Sequence, residues 1–359
     1  MADPGPSPTA RAEISHGSVG AAGADPPRAG RPPIPKAELH VHIEGTLEAE
    51  LALLLAGRNG ISLPYQDAKD LRRAYEFSSL QSFLDLYYAT MAVLCTEQDF
   101  ADLASEYLER ASAQGVRHAE IFFDPQAHAE RGIGLARVID GLWSVLGSSE
   151  QTHGISTALI MCFLRERGPA AAMASLEAAL PFRDRIIAVG LDGAEVGHPP
   201  AAFSDVFDRA RAEGFRCVAH AGEEGPPSYI WDSLDRLRVS RIDHGVRCVE
   251  DAALVARLRD EQTPLTVCPL SNLRLGVVTE LARHPLPRMI EAGLAVTVNS
   301  DDPAYFGGYI DDNYGLLQAV LGMTDPQLRT MAEASFRAAF LADEARARHL
   351  DALAGWPDG

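Results

Sequence analysis

Short apolar runs recur along the chain, separated by longer stretches whose apolar positions fall at helical spacing. The runs are Ala37–Ile43, His118–Asp124, Ser156–Phe163, Ala188–Asp192, Arg216–Ala221, Arg241–Val246, Leu265–Pro269 and Ala295–Asn299. Most are rich in β-branched or other apolar side chains and read as buried strands. Phe203–Glu213, Ile230–Leu237 and Ala252–Glu261 are examples of the amphipathic segments between them. Strands alternating with helices predict parallel βαβ units. Eight such units point to an α/β fold of the (β/α)8 TIM-barrel type. The stretch between the first two strands is unusually long. Its apolar blocks, Leu51–Leu55, Leu80–Leu94 and Phe100–Ala111, predict extra helices over the barrel mouth.

Residues 1–33 are rich in Pro, Gly, Ala and Ser without apolar periodicity, and read as a disordered N-terminal extension. The barrel is expected over 34–350, with a flexible tail at 351–359. Of the 359 residues 47% are hydrophobic, enough for one barrel of about 250 residues with extensions. The net charge of −18 disfavours nucleic acid and anionic membrane as partners but leaves a neutral small molecule open. No apolar run is long enough to predict a transmembrane helix, and the first residues do not read as a secretory signal. Five scattered cysteines without a CxxC pair fit buried thiols in a reducing cytoplasm better than disulfides or a thiolate metal site. The pattern specifies no oligomeric state.

Candidate chemistry sits at the C-terminal ends of the predicted strands, where barrels carry their active sites. His40 and His42 on the first strand share a face, because side chains alternate with a period of two. The fifth strand ends in His220-Ala221-Gly222-Glu223, the sixth carries Asp243-His244-Gly245, and the eighth ends in Ser300-Asp301-Asp302-Pro303. Each piece alone has a bland reading as turn, cap or core histidine. Together they place His, Asp or Glu at one end of four strands, which packing alone does not require. Three imidazoles and a carboxylate suit zinc, giving His40, His42, His220 and Asp301 as ligands. No lysine near the end of the fourth strand offers a bridging carbamate, so one Zn2+ per chain is expected. Glu223 is then free to protonate a ring nitrogen and His244 to orient water or relay its proton. Asp302 is placed to hydrogen-bond the substrate from the opposite side. Activated water with a separate acid–base glutamate is what nucleobase deamination needs. His118, His128, His153 and His284 have no consistent position at the mouth and are set aside.

The segments PKAELHVHIEGTL, HAGEEG, RIDHGV, CPLSN and VNSDDP resemble the signature segments of the adenosine/adenine deaminase family of the amidohydrolase superfamily, over about Pro35 to residue 340. The resemblance implies the same roles: zinc at His40, His42, His220 and Asp301, Glu223 as proton donor, catalytic help from His244, and a base contact from Asp302. The substrate is read from two departures. Nucleoside-deaminating members have a glycine where the segment Gly190–Glu195 ends in Glu195, and an aspartate where this chain has Glu44. Longer side chains there would crowd a ribose, and Glu195 could accept the N9 proton of free adenine, beside Gly193 at the strand end. LQSFLDLYYA, FFDPQ and GLDGAEVGHPP look like the adenine-deaminating branch. The expectation is therefore hydrolysis of adenine to hypoxanthine and ammonia in purine salvage. The alternatives are adenosine or an N6-substituted adenine as substrate, or a non-catalytic purine-binding barrel. In a further possible role, Phe83, Tyr87 and Tyr88 form an apolar cover over the base.

Overall fold

A computed structural model of the protein describes residues 32–77 and 80–357; most of the expected N-terminal extension lies outside them. Eight parallel strands run in chain order around one sheet: β1 (Lys36–His42), β2 (Val116–Phe123), β3 (Ser156–Leu164), β4 (Ile186–Asp192), β5 (Arg216–Ala221), β6 (Arg241–His244), β7 (Leu265–Val267) and β8 (Val296–Val298). Each coincides with one of the predicted apolar runs to within a few residues, and the sheet forms the expected barrel. Among the described residues no helix is long and apolar enough to cross a membrane.

The seam between β8 and β1 is closed by Asp301, just beyond β8. Its backbone N–H donates to the His40 carbonyl at 3.0 Å, and its carbonyl accepts from the His42 N–H at 3.0 Å. One backbone pairing therefore sets Asp301 in register with the two histidines of β1.

The long insert folds as α1 (Ala49–Asn59), α2 (Ala68–Arg73), α3 (Leu80–Met91) and α4 (Glu97–Ala113). Only part of it covers the mouth. Leu80, Phe83, Leu84, Tyr87 and Tyr88 of α3, at helical spacing, face the barrel opening. By contrast, α4 packs on the outer wall against β2 and the helix Leu135–Leu146. A capping box starts it, with Thr96 accepting from the Asp99 N–H and Asp99 accepting from the Thr96 N–H.

The last helix, Asp343–Ala354, runs into the segment expected to be frayed. Leu353 and Trp356 are buried there, and the Trp356 indole N–H donates to the Pro32 carbonyl at 3.1 Å. An apolar anchor in the final residues overrides their polar, Gly-containing composition.

Three strands lead into a short helix with proline at its first position: Asp124-Pro125, Cys268-Pro269 and Asp302-Pro303. Proline suits that position and keeps the residue before it out of the helical region. Asp124, Cys268 and Asp302 accordingly share nearly the same backbone conformation, with φ of −111°, −122° and −112°.

Candidate active site

At the C-terminal rim His40, His42, His220 and Asp301 converge, all buried, with one ligand atom of each within 4.8 Å of the others. His42 Nε2 lies 3.2 Å from His220 Nε2 and 3.6 Å from Asp301 Oδ1, and His40 Nε2 lies 3.3 Å from the same oxygen. Four donors about 2.0–2.1 Å from one tetrahedral ion stand roughly 3.3–3.4 Å apart, so the group fits a single zinc-sized cation. The tautomer of His40 agrees. Thr266 donates its one hydroxyl proton to Asp243 at 2.8 Å, so it accepts from His40 Nδ1–H at 2.9 Å. That leaves the His40 Nε2 lone pair free, and this buried atom has no hydrogen-bond partner among the described residues. Asp243 also stands 3.8 Å from His220 Nδ1, and Asp192 stands 3.7 Å from His42 Nδ1. Carboxylates behind imidazole ligands orient them and raise their basicity.

The donor set opens into a cavity at the barrel mouth. Glu223, His244, Asp302 and Gly193 line it, together with Asp124 and Asp192. Burial raises the Glu223 carboxyl well above the ordinary range, reinforced by the charges of Asp301 and Glu195, which favours its protonated form. Asp302 is raised in the same sense by burial and by Asp301. Gly45 is required beside it, since an added Cβ would collide with the Asp302 carboxylate. His244 and Asp301 both hold a positive φ, 63° and 67°, a strained conformation for residues other than glycine that concentrates at functional sites.

His244 is oriented by a chain of hydrogen bonds that the sequence did not reveal. The Leu286 N–H donates to His284 Nδ1 at 3.0 Å, so His284 carries its proton on Nε2 and donates to Asn272 Oδ1 at 3.1 Å. The Asn272 amide then turns its Nδ2 toward His244 Nδ1, 3.4 Å away. The remaining His244 proton lies on Nε2, which faces Glu223 at 3.5 Å and Asp301 at 3.7 Å. Burial pushes the His244 pKa down to about 3, so the ring is neutral at physiological pH.

Glu195 departs from its expected role. It is not among the residues lining the cavity, and its two carboxylate oxygens accept four backbone N–H groups, from Gly222 (2.6 Å), Glu223 (3.1 Å), Glu224 (2.9 Å) and Gly225 (2.7 Å). A carboxylate so engaged has no reason to turn toward substrate. Gly225 is glycine because a Cβ there would strike this carboxylate. Glu44 likewise turns away from the cavity, accepting from the Asp124 N–H at 3.1 Å and pairing with His128 at 2.8 Å. Neither glutamate is placed to crowd a sugar directly. Arg165, fully buried after β3, donates to the carbonyls of Asp192 and His220 and ties the ends of β4 and β5 together. Arg165 and Thr266 carried no legible signal, because their partners are distant in sequence, and Asn272 and Asp192 lay within quoted segments but without a role. Asp243 was visible in its motif but without a role.

A parallel barrel with three imidazoles and one aspartate at its C-terminal rim defines an amidohydrolase. The chain belongs to the adenosine deaminase family, whose model matches residues 35–356. It is 62% identical over 320 residues to an adenine deaminase of Streptomyces coelicolor, covering 89% of this chain and 94% of that one. An adenine deaminase of Pseudomonas putida is 56% identical over 305 residues, covering 85% and 97%. The crystal structure of adenine deaminase from Arthrobacter aurescens superposes with a TM-score of 0.89 at 55% identity, over 90% of this chain and 99% of that one. An amidohydrolase from Burkholderia ambifaria, solved with bound Zn, gives a TM-score of 0.82 at 29% identity over 89% and 90%.

Proposed function

We propose that this chain is an adenine deaminase, converting adenine and water to hypoxanthine and ammonia, with one zinc ion held by His40, His42, His220 and Asp301. The observation that carries the reading is the convergence of those four donors beside the buried Glu223 carboxyl and an unpartnered Asp302 oxygen. Similarity to adenine deaminases over most of the chain supports the choice of substrate. When bound, zinc supplies Lewis acidity and brings the pKa of water toward neutrality. Glu223 donates its proton to N1, which removes the aromatic resistance to addition at C6. His244 Nε2–H donates a hydrogen bond that holds the attacking water against C6. Asp302 hydrogen-bonds the five-membered ring at N7, and α3 shields the base from solvent with Phe83 and Tyr87. As the water oxygen bonds to C6, one of its protons returns to Glu223 and the other passes to the amino group, and the C6–N bond breaks to release ammonia. Glu195 acts behind the scene of reaction, by fixing the loop that presents Glu223. The buried free thiols fit a cytoplasmic enzyme.

The test is a steady-state comparison of adenine, adenosine and N6-methyladenine by ammonia or methylamine release, with metal analysis of the purified enzyme. Adenine is expected to give the highest kcat/KM, with one zinc per chain. Faster turnover of adenosine would overturn the substrate assignment, and activity in metal-free enzyme would overturn the zinc assignment.

A further inference from the structure

Two buried carboxyl groups in the cavity have no part in the reaction as described. Asp124, after β2, and Asp192, ending β4, are 3% and 2% exposed. An oxygen of each lies within 4.8 Å of the other and of a His42 ring nitrogen. In both, Oδ1 has no hydrogen-bond partner, and the neighbouring Tyr87 hydroxyl is buried and unpartnered as well. Asp124 is set by the same strand–Asp–Pro–helix turn as Asp302, with φ, ψ of −111°, 79° against −112°, 74°. The turn that aims Asp302 into the cavity thus recurs after β2.

Strand order says what the β2 side faces. With N1 at Glu223 after β5, C6 near His244 at the end of β6, and N7 at Asp302 after β8, the base is held by the β5–β8 arc. Its opposite edge, N3–C4–N9, looks toward β1–β4. There Glu195 is saturated by four amides, and Glu44 is engaged with His128 and the Asp124 N–H. Of the two carboxyls that line the cavity on this side, Asp192 has Oδ2 turned to His42 Nδ1, and Asp124 is the one placed to meet the substrate.

We propose that Asp124, paired with Asp192, accepts the N9–H of the free purine base and so selects bases over their N9-substituted derivatives. This rests on adenine being the substrate. Asp124 Oδ1 is buried beside the Asp192 carboxyl and has no hydrogen-bond partner among the described residues. One oxygen remains an acceptor. A nucleoside has no proton at N9, and its sugar would leave that oxygen buried and unpaired. Sites built around a substrate N–H reject analogues lacking it by large factors.

The experiment compares kcat/KM for adenine and 9-methyladenine in the zinc-loaded wild type, D124A and D124N. A ratio cancels any loss common to both substrates, including damage to the metal site. The wild type is expected to prefer adenine by on the order of 10²-fold or more. D124A is expected to lower the ratio about tenfold or more. D124N keeps an oxygen for N9–H while its amide donates to Asp192, and should hold the ratio near the wild-type value. A smaller fall in D124A, an equal fall in D124N, or wild-type enzyme that takes 9-methyladenine as readily as adenine overturns the proposal. The last result needs no variant to fold. If adenine itself is not deaminated, the underlying function fails instead.

Discussion

Glu195 carries no reacting atom, yet four amides of the segment that presents Glu223 depend on it. Glu195→Gln keeps its shape but turns an NH2 group against N–H donors. We expect kcat for adenine to fall on the order of 10²-fold while KM moves only a few-fold, since small misplacements of a catalytic group are costly. A KM increase with kcat intact would instead mark Glu195 as a substrate contact. His284 gives a second prediction at this scale. Burial lowers its pKa from the ordinary 6.5 to about 4. A histidine with a depressed folded pKa lets the unfolded state bind more protons between those values, so its contribution is complete above pH 6.5 and is lost as pH falls toward 4. The loss approaches ~3 kcal/mol. Unfolding of wild type and His284→Gln across this window checks it: the wild type should lose stability more steeply on acidification, and parallel curves would refute it. Residue identity was legible where chemistry lies in a local pattern, as in His40-x-His42 or His220-x-x-Glu223. The role of Glu195 was misread and that of His284 not seen, because the contacts that define them are set by tertiary packing and leave no local periodicity.

At the scale of elements, the strands were readable because buried parallel strands are apolar on both faces. β7 and β8, only three residues each in the barrel, still stood out as the apolar runs Leu265–Pro269 and Ala295–Asn299. The insert was harder. The patterns of α3 and α4 both show helices, but which one covers the mouth and which joins the wall depends on tertiary packing. Phe83 of α3 shows the consequence. It is 3% exposed and packs against Tyr87 and Phe306, with ring centroids at 5.2 and 4.8 Å. Phe83→Ala should lower the unfolding free energy by ~3 kcal/mol and raise KM for adenine, because it opens a void between α3 and the cavity. Calorimetry and steady-state kinetics read the two effects. A stability loss with KM unchanged would leave α3 a packing element only.

The whole molecule links its stability to the proposed metal. Ligands come from β1, β5 and the residue after β8, so a bound ion cross-connects most of the barrel's circumference. Binding to the folded state alone stabilises it by RT ln(1 + [L]/Kd), about 4 kcal/mol at a thousandfold excess over Kd. Stripping zinc with a chelator should therefore lower Tm by several degrees, and zinc should restore Tm and activity together. An unchanged Tm would show that the four donors hold no ion in solution. The barrel itself was legible from the alternation of elements, whereas its closure was not: the last contact is made by the backbone of a polar residue outside any apolar run.

That seam has a further consequence. The amides of His42 and Asp301 are at once the staves that shut the barrel and the backbone of two donor side chains. Tension at the ion is therefore felt first where the cylinder is weakest. In hydrogen-exchange measurements these two amides should slow more on metal loading than those of β2 or β3, making the joint a natural reporter of occupancy.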